Sequence, residues 1–448
     1  MTMTVTPTET TTTGDAHLEA FDALAPELPG RGLEWLDTLR HDALRRFEDA
    51  GIPHRGLEDW KFTSLGALDK HAFAPVRTAT AADPRPEFGP VDCAARLVFV
   101  DGRFDAQESD LPDLGPGITV NTLAAALQET PELIKGLLSR AGGAAGALSD
   151  LNAAFMADGA VVRLDAGAKL DQPVSLVFLG SNAEDGASHV RNLITLGAGA
   201  EAQVIESHVD PNGSQTAAFS NAVTDVGLAE TAALTHIRVQ ELGPNAVHTA
   251  RAVVEIAQDA RYESFALATG AALSRQESDV TFTSLNGSAR LFGAYLGRGR
   301  QHLDHTTRVD HAYPGCTTEE LFKGVLDDRA HGVFQGLVRV APKAIGTDAR
   351  QKNQALLLSD HAVADTKPEL EILADDVKCA HGATVGDLDT DGLFYLMARG
   401  ISKAEARRLL IGGFIGDVID RFGGDAVVQF LKDCVVRWQD QTDGGDHV

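Results

Sequence analysis

The sequence predicts a mainly β protein whose core is a parallel β-helix or a related β-solenoid, with helical regions before and after it. Three observations lead to this fold class. Long helical periodicity is absent between residues 159 and 387, where short β-rich segments alternate with Gly, Asp and Asn turns. These segments recur at intervals of about 30 residues, a spacing typical of stacked supersecondary units. Apolar residues at helical spacing, together with capping signals, occur on both sides of this stretch.

The N-terminal part is predicted to be a disordered tail over residues 1–16 and a mainly helical region over residues 17–158. The tail is rich in threonine and has neither the basic nor the apolar segment of a signal peptide. A helix is predicted in "GLEWLDTLRHDALRRFEDAG", where Gly51 is placed to end it. The segment "DPRPEFGP", residues 83–90, predicts a boundary. The apolar face of the helix consists of Leu33, Leu36, Leu39, Leu44 and Phe47.

The β-rich core is predicted over residues 159–387 from a recurring pattern. An aliphatic residue precedes a three-residue polar or glycine turn, and a usually small residue follows before a second strand begins. One interval is longer, about 40 residues, and predicts an insertion that contains "QHLDHTTRVDHAYPGCTTEE". Helical repeats need amphipathic helices that are absent, and a propeller blade needs four strands, so β-helix rungs are favoured. The aliphatic and following positions are Leu164 and Ala168, Leu196 and Ala200, Val226 and Glu230, Ile256 and Ala260, Leu285 and Ala289, Leu326 and Ala330, and Leu358 and Ala362, with Glu230 as the exception.

A C-terminal helical domain is predicted over residues 388–448. Asp389 or Thr390 is a candidate N-cap of its first helix, and Ser402 with Glu405 forms a capping box for the second. The second helix is apolar around most of its circumference, so the helices either pack on each other or leave one face for a partner. Helices on both sides of the column can also cap its two open ends. The crowded apolar positions are Leu409, Leu410, Ile411, Phe414, Ile415, Val418 and Ile419.

The charge balance excludes some classes of partner. The chain has 39 Lys and Arg residues against 64 Asp and Glu residues, a formal net charge of −25, and no basic run. Nucleic acid and anionic membranes are therefore not expected as partners. No apolar stretch of about 18 residues is present to span a membrane. Cys93, Cys316, Cys379 and Cys434 form no C-x-x-C pair, which suits a reducing cytoplasm.

Cys379 and His381 are the first candidate site, in "KPELEILADDVKCAHGATVGDLD". On a strand, residues two apart project from the same face, so one metal or cluster edge could contact both. Thiolate and imidazole suit iron–sulfur clusters, zinc and copper. The alternative is a small buried cysteine beside a hydrogen-bonded surface histidine, because free cysteine is commonly buried and two ligands do not complete a site.

Two further groups of polar residues are candidates. "HLDHTTRVDH", residues 302–311, is dense in His and Asp and suggests metal binding or acid–base chemistry, but its spacing matches no standard site and favours an exposed polar insertion. Asp375 and Asp376 could indicate a carbohydrate-active β-helix enzyme. Adjacent strand residues point to opposite faces, however, so these two carboxylates do not converge. Only 6% of the residues are aromatic, which also disfavours carbohydrate binding.

Three long motifs resemble the SufB/SufD family of iron–sulfur cluster assembly proteins. "KPELEILADDVKCAHGATVGDLDTDGLFYLMARGISKAEARRLLIGGF" is similar to its C-terminal signature. "VDHAYPGCTTEELFKGVLDDRAHGVFQGLVRVAPKAIGTDARQKNQALLLSD" is similar to its core. "LEDWKFTSL", in which Trp60 and Phe62 are expected packing anchors, resembles its N-terminal element. The resemblance implies a right-handed parallel β-helix flanked by helical regions.

The subtype follows from one position within the resemblance. A cysteine that seeds the cluster in SufB-type scaffolds falls at Asn353 here, so the chain is similar to the SufD-type subunit, with a SufB-like paralogue as the alternative. The resemblance implies a non-catalytic cytoplasmic subunit that pairs with a SufB-type scaffold, or with itself when alone. It also implies that the C-terminal helices bind a SufC-type ATPase. His381 is the implied ligand of a transient cluster shared with SufB, Cys379 is a supporting or core residue, and no cluster is expected to stay on the isolated chain.

Overall fold

The computed structural model describes residues 13–66, 68, 73–77, 92–141, 146–180, 185–210, 215–422 and 424–441. Residues 1–12 of the predicted tail and the whole predicted boundary at 83–90 lie outside the described residues. Residues 13–16, which were also assigned to the tail, belong to the first helix.

Helices lie before and after a long run of strands. The α-helices are α1 (Thr13–Leu24), α2 (Glu34–Ala50), α3 (Leu123–Glu129), α4 (Pro131–Ala141), α5 (Ala147–Phe155), α6 (Thr390–Ala398), α7 (Lys403–Ile419) and α8 (Asp425–Asp440), with 3-10 turns at Ala25–Glu27 and Glu58–Trp60. Helix α2 ends at Gly51, whose φ of 70° lies in the left-handed region, as the sequence predicts. Helix α6 is capped by the Asp389 carboxylate, and the Ser402 hydroxyl caps α7 by accepting from the Glu405 backbone N–H.

The strands alternate between two sheets. They are β1 (Ala74–Pro75), β2 (Ala95–Val100), β3 (Arg103–Phe104), β4 (Ile118–Thr122), β5 (Ala160–Leu164), β6 (Val174–Leu179), β7 (Gly186–Leu196), β8 (Glu201–Val209), β9 (Ala218–Leu228), β10 (Ala233–Glu241), β11 (Val247–Ile256), β12 (Arg261–Ala268), β13 (Leu273–Phe282), β14 (Ser288–Gly297), β15 (His302–His311), β16 (Thr317–Leu326), β17 (His331–Val340), β18 (Asp348–Leu357), β19 (Val363–Ile372) and β20 (Lys378–Asp387). From β5 onward, odd-numbered strands form sheet A and even-numbered strands form sheet B.

Each strand of this core pairs in parallel with the strand two places away in the chain, for example β11 with both β9 and β13. The chain therefore crosses from one sheet to the other after every strand and returns one level further along. This arrangement confirms the predicted β-solenoid fold. We call each sheet A strand and the sheet B strand that follows it a rung, so that β19 and β20 form the terminal rung.

The inner faces of both sheets form a continuous core. On sheet A, one aliphatic ladder occupies the same register position on seven successive strands, and its members are nearly all fully buried. Each rung contributes one aliphatic side chain to this ladder, and neighbouring strands lie about 4.8 Å apart. The stacked side chains exclude water along the column. The ladder consists of Ile194, Val226, Val254, Val280, Val309, Val338 and Leu370.

The predicted period was close, but the register assigned to several repeats was wrong. The corner after β9 begins at Leu228 rather than at Val226, and Ala232, which is fully buried, takes the small position assigned to Glu230. Leu285 lies in a turn and is 40% exposed. Leu326 and Leu358 lie at the opposite corner, where the chain returns from sheet B to sheet A. Residues two apart share a strand face and both corners have similar turns, so the local pattern does not distinguish these positions.

The predicted insertion was also wrong. Residues 302–311 form the regular strand β15, which pairs in parallel with β13 on one side and β17 on the other. The interval is long because Leu285 and Leu326 lie at different corners of the solenoid. The rungs are therefore continuous through this segment.

The helices cover the outer faces of the sheets rather than capping the far end. Phe21, Phe47 and Phe155 of the N-terminal helices belong to one cluster with outward residues of sheet A such as Phe219. The C-terminal helices pack on outward residues of sheet B, including Ile237, Val239, Phe265, Phe292 and Leu321. The expectation that the C-terminal helices close the column was wrong, because the outer face of sheet B is itself apolar and takes up their buried faces.

At the near end, the strands that precede the rungs do cover the column. β4 pairs antiparallel with β5, and β2 pairs in parallel with β6 while β3 folds back on β2. Among the residues that the structure describes, additional strands therefore cover one end of the solenoid. Within the part of the chain described, no helix has the length and apolar character needed to cross a membrane.

A glycine-to-alanine exchange tests the packing of the inner face. A Cβ at Gly324 would lie 2.1 Å from Cε2 of the buried Tyr295 ring, whereas one at Gly227 would meet only Thr195 Cγ2 at 3.8 Å. We expect Gly324→Ala to destabilise the protein by about 1–3 kcal/mol through overpacking. Gly227→Ala is the control and should leave stability unchanged or slightly raised. The midpoint of urea unfolding measures both, and equal midpoints would contradict the packing described here.

Candidate functional site

Cys379 and His381 lie on β20, the last strand of sheet B. Their register partners on β18 are Ala349 and Gln351, both of which are buried on the inner face of the column. The two candidates therefore share the inward-facing side of the terminal rung, as their two-residue spacing predicts. His381 is nevertheless exposed and Cys379 is half-buried. The reason is that, among the described residues, no further rung lies over them.

The terminal rung leaves an open end. β19 and β20 each pair on one side only within the described part of the chain. Apolar side chains that an additional rung would cover are exposed there, among them Val363, Leu373 and Val385 at 47%, 51% and 45%. An unpaired edge of this length, with apolar side chains beside it, is a template for pairing with another chain. We refer to this surface, formed by β19 and β20, as the open end.

The thiol and the imidazole differ in their surroundings. Cys379 packs against the inner core of the column, and burial raises the pKa of its thiol. His381 has solvent in front of it and is free to contact a ligand. Among the described residues, no group of three or more His, Cys, Asp or Glu side chains is arranged to hold a metal ion. A metal site built on His381 therefore requires ligands beyond those that the described residues bring together.

A layer of buried polar side chains lies directly beneath the terminal rung. Glu320 on β16 accepts hydrogen bonds at Oε2 from Thr307 Oγ1, at 2.7 Å, and from Gln351 Nε2, at 3.2 Å. Tyr295 donates its hydroxyl to Asn353 Oδ1 at 3.2 Å. Burial raises the pKa of Glu320 to about 7, although the hydrogen bonds from Thr307 and Gln351 oppose the shift.

Sequence reasoning missed this polar layer. Glu320 and Gln351 occupy the same register position on adjacent strands, and Gln351 is in turn the register partner of His381. Strand alternation alone predicts that Gln351 and Asn353 share one face of their strand. Only the pairing of the strands shows that this face points into the column. Asn353, where the family resemblance places a cysteine in SufB-type scaffolds, is 1% exposed and lies in this layer.

The His- and Asp-rich segment 302–311 does not form a metal site. Because it is a strand, its side chains divide between two faces: His305 and His311 point into the column and His302 and Asp304 point outward. Burial lowers the pKa of His305 to about 3 and that of His311 to about 4. Both imidazoles are therefore neutral residues of the column interior.

The outward residues of β15 hold the N-terminal motif "LEDWKFTSL". Thr63 donates its hydroxyl to the Asp304 carboxylate and lies 2.9 Å from His302 Nε2. The Asp304 carboxylate also pairs with Arg275 at 2.6 Å, and the Arg275 guanidinium lies 4.0 Å over the Trp60 ring. Trp60 is buried, as expected of a packing anchor, whereas Phe62 is only half-buried.

The same motif reaches the terminal rung. Asp59 pairs with Arg308 at 2.8 Å, and Glu58 pairs with Lys367 of β19. These contacts attach the N-terminal region to the outer face of the last rungs of sheet A. Exposed ion pairs such as these contribute little free energy individually. The buried contacts of Thr63 with Asp304, and the packing of Trp60 in the apolar cluster with sheet A, are the stronger part of the attachment.

The C-terminal helices carry a second exposed apolar surface. Of the seven crowded positions, Ile411, Ile415, Val418 and Ile419 are buried, whereas Leu409 is exposed. On α6, the side chains of Phe394, Tyr395 and Met397 are exposed as well. One face of these helices packs internally and another is exposed, and the binding of a partner at the exposed face stays a prediction. We call the exposed set on α6 and Leu409 the helical patch.

Comparison with known proteins identifies relatives over nearly the whole chain. A family model described as "SUF system FeS cluster assembly, SufBD core domain" matches residues 178–414, and one described as "SufBD protein N-terminal region" matches residues 15–176. The chain is 32% identical over 396 residues to an iron–sulfur cluster assembly SufBD family protein of Synechocystis sp., covering 86% of this chain and 87% of the relative. It is 30% identical over 389 residues to the iron–sulfur cluster assembly protein SufD of Escherichia coli, covering 86% and 89%. The corresponding SufD of Bacillus subtilis is 26% identical over 416 residues, covering 90% and 94%.

The buried Glu320 carboxyl makes stability depend on pH. Its pKa is about 7 in the folded chain against an ordinary value of 4.5, so folding favours the protonated form. The contribution of the protonated Glu320 carboxyl to the free energy of unfolding is fully present below pH 4.5 and is lost as the pH rises through 7. Relative to Glu320→Gln, the wild type should lose on the order of 3 kcal/mol between pH 5 and pH 8.

The midpoint of urea unfolding at the two pH values measures this difference. Glu319→Gln, on the outward side of the same strand, is the matched control and should follow the wild type. Parallel behaviour of wild type and Glu320→Gln across this range would mean that the carboxyl is not held protonated by its burial.

Proposed function

The chain belongs to the SufBD family of the SUF system for iron–sulfur cluster assembly, and on that premise we propose that it is a SufD-like, non-catalytic subunit. In this proposal its open end pairs with a SufB-type scaffold, and a nascent cluster is built at the seam between the two proteins. The observation that carries the proposal is the exposed His381 on the inner face of a rung that nothing in the described chain covers.

Pairing through the open end accounts for two features together. The free edges of β19 and β20 offer backbone donors and acceptors to a strand of another chain. The exposed Val363, Leu373 and Val385 would be covered by that strand. A second copy of this chain could use the same surface in the absence of the scaffold, which would give a homodimer. Unpaired edges and exposed apolar residues at one place favour a lasting interface over a transient contact.

The ligand chemistry suits a cluster that must be released. Imidazole is available from His381, and the remaining ligands would come from the scaffold, whose thiol at the position of Asn353 is absent here. Replacement of a thiolate by an imidazole raises the reduction potential of an iron–sulfur cluster. We infer that a mixed-ligand cluster at a seam between two chains is held less firmly than one with four thiolates from a single chain. In this proposal the cluster is a cargo that is released and not a permanent cofactor of this chain. The absence of a SufB-type cysteine favours the SufD-like over the SufB-like alternative.

The helical patch is the proposed docking surface of a SufC-type ATPase. Helix α7 is attached to sheet B by apolar packing and by Lys323, which pairs with Asp417 at 2.7 Å and donates to the Phe414 carbonyl at 2.9 Å. Movement of an ATPase bound to α6 and α7 would therefore be transmitted to the rungs. Dimerisation of two ATPases, one on each solenoid, could open the seam without any ATP hydrolysis by this chain. We place this chain and its partners in the cytoplasm.

Substitution of His381 tests the cluster site. We expect His381→Ala to leave assembly with the SufB-type and SufC-type partners intact, because the side chain is exposed, and to lower iron and sulfide in the purified complex several-fold. His361→Ala, an exposed histidine at a corner next to β19, is the matched control and should retain both. Unchanged iron and sulfide in His381→Ala would refute the proposed ligand role.

Substitutions in the helical patch test ATPase docking. Phe394 is 74% exposed, so Phe394→Ser together with Tyr395→Ser should leave the fold intact. We expect binding of the SufC-type ATPase, measured by calorimetry, to weaken at least tenfold, since exposed aromatic residues dominate such interfaces. Tyr313→Ser, at an exposed turn of the solenoid, serves as the control. Equal affinity in both variants would exclude this patch as the docking surface.

A further inference from the structure

Three successive strands of sheet B carry polar side chains at one register position beneath and at the open end. Glu320 on β16 is paired with Gln351 on β18, and Gln351 is paired with His381 on β20. Glu320 and Gln351 are 1% and 2% exposed and face the inside of the column, whereas His381 is exposed above them. The strand register therefore places the imidazole next to the buried polar layer.

The Gln351 amide is held in one orientation. Its Nε2 donates to Glu320 Oε2, which also accepts from Thr307. Both donors approach the same carboxyl oxygen, and in this arrangement the Gln351 amide nitrogen, and not the amide oxygen, faces Glu320. Gly336 leaves the space that this requires, because a Cβ there would lie 2.1 Å from Gln351 Nε2.

The other end of the amide has no partner. Gln351 Oε1 is buried and accepts no hydrogen bond from any residue that the structure describes. Buried carbonyl oxygens are rarely left without a donor, so one is expected when the complex forms. On the neighbouring strand, the register partner of Gln351 is His381, whose ring carries an N–H.

Other side chains of this layer are less suitable acceptors. Asn353 already uses its carbonyl oxygen for the Tyr295 hydroxyl, and its unpartnered atom is Nδ2, a donor. Ala349, the register partner of Cys379, offers no polar side-chain atom. Gln351 is therefore the acceptor that register places beside His381.

We propose that Gln351 is the positioning residue of His381: on closure of the seam, a ring N–H of His381 donates to Gln351 Oε1, and the other ring nitrogen faces the iron–sulfur cluster. This inference rests on the proposed function. The hydrogen bond fixes the tautomer and orientation of the ring, as partners of metal-ligating histidines generally do. Thr307 and Glu320 act indirectly, because Glu320 holds the Gln351 amide and Thr307 donates a hydrogen bond to Glu320.

The test uses the assembled complex with SufB-type and SufC-type partners, loaded with iron and sulfide, in which only this chain carries ¹⁵N-labelled histidine. Electron spin echo measurements on the reduced cluster report the nitrogen coupling. The wild type should give a single strong coupling that His381→Ala removes. Gln351→Met, which keeps the length but has no acceptor, should retain a weaker, broadened coupling and lower the iron content two- to tenfold.

Two controls separate positioning from loss of polar groups in the column. Gln276→Met replaces another buried amide with an unpartnered oxygen, three rungs before the open end, and should behave as the wild type. Thr307→Val removes a partner of Glu320 without touching Gln351 and should have a smaller effect than Gln351→Met. Gln351→Asn withdraws the amide by one methylene, keeps the site polar, and should shift the coupling in the same direction if Gln351→Met does not fold.

The outcomes distinguish this inference from the proposed function. A wild-type coupling and iron content in Gln351→Met, or in Gln351→Asn where that variant is used, overturns the inference while leaving the ligand role of His381 in place. The same is concluded if Gln276→Met changes the coupling as strongly as Gln351→Met. Retention of the nitrogen coupling in His381→Ala overturns both the inference and the proposed ligand.

Discussion

The parallel hydrogen-bonded ladder between successive rungs is the constraint on which the rest of the structure depends. Every strand from β7 to β18 has a neighbour on both sides, whereas β19 and β20 pair on one side only among the described residues. A solenoid has no further strand to hydrogen-bond to the outer edge of its last rung. The final strands therefore keep free backbone groups and partly exposed inward side chains. The candidate ligand lies on this rung, and its exposure follows from where the ladder stops.

The column interior combines aliphatic and polar side chains. An aliphatic ladder that includes Val254 and Val280 runs along sheet A, and buried polar groups such as Glu206, His236 and Glu320 lie on sheet B. Glu206 accepts from His236 at 2.8 Å, and further along the column Glu320 is linked to Thr307 and Gln351. Buried polar networks with fixed partners rigidify their surroundings. A rigid interior is what a rung needs if it is to hold a ligand at a seam.

The regions outside the solenoid divide the remaining surfaces between them. The N-terminal helices and the motif around Thr63 cover sheet A, and α7 and α8 cover sheet B. Since the additional strands β2 to β4 cover the near end, the open end and the helical patch remain as exposed apolar surfaces. They are distinct regions of the same chain, and α7 packs directly on the outer face of sheet B.

Local rules were enough to predict the fold class, the ends of several helices and the placement of Cys379 and His381 on one strand face. These rules are the period of the repeats, the capping groups at Gly51, Asp389 and Ser402, and the alternation of side chains along a strand. Four features were not predictable in this way: the register at Leu228, the place of residues 302–311 in the ladder, the packing of α7 along sheet B and the register of Gln351 beside His381. Each of these depends on which strands pair across about 30 residues of chain, and the two-residue alternation of a strand allows several registers that only the packed column distinguishes.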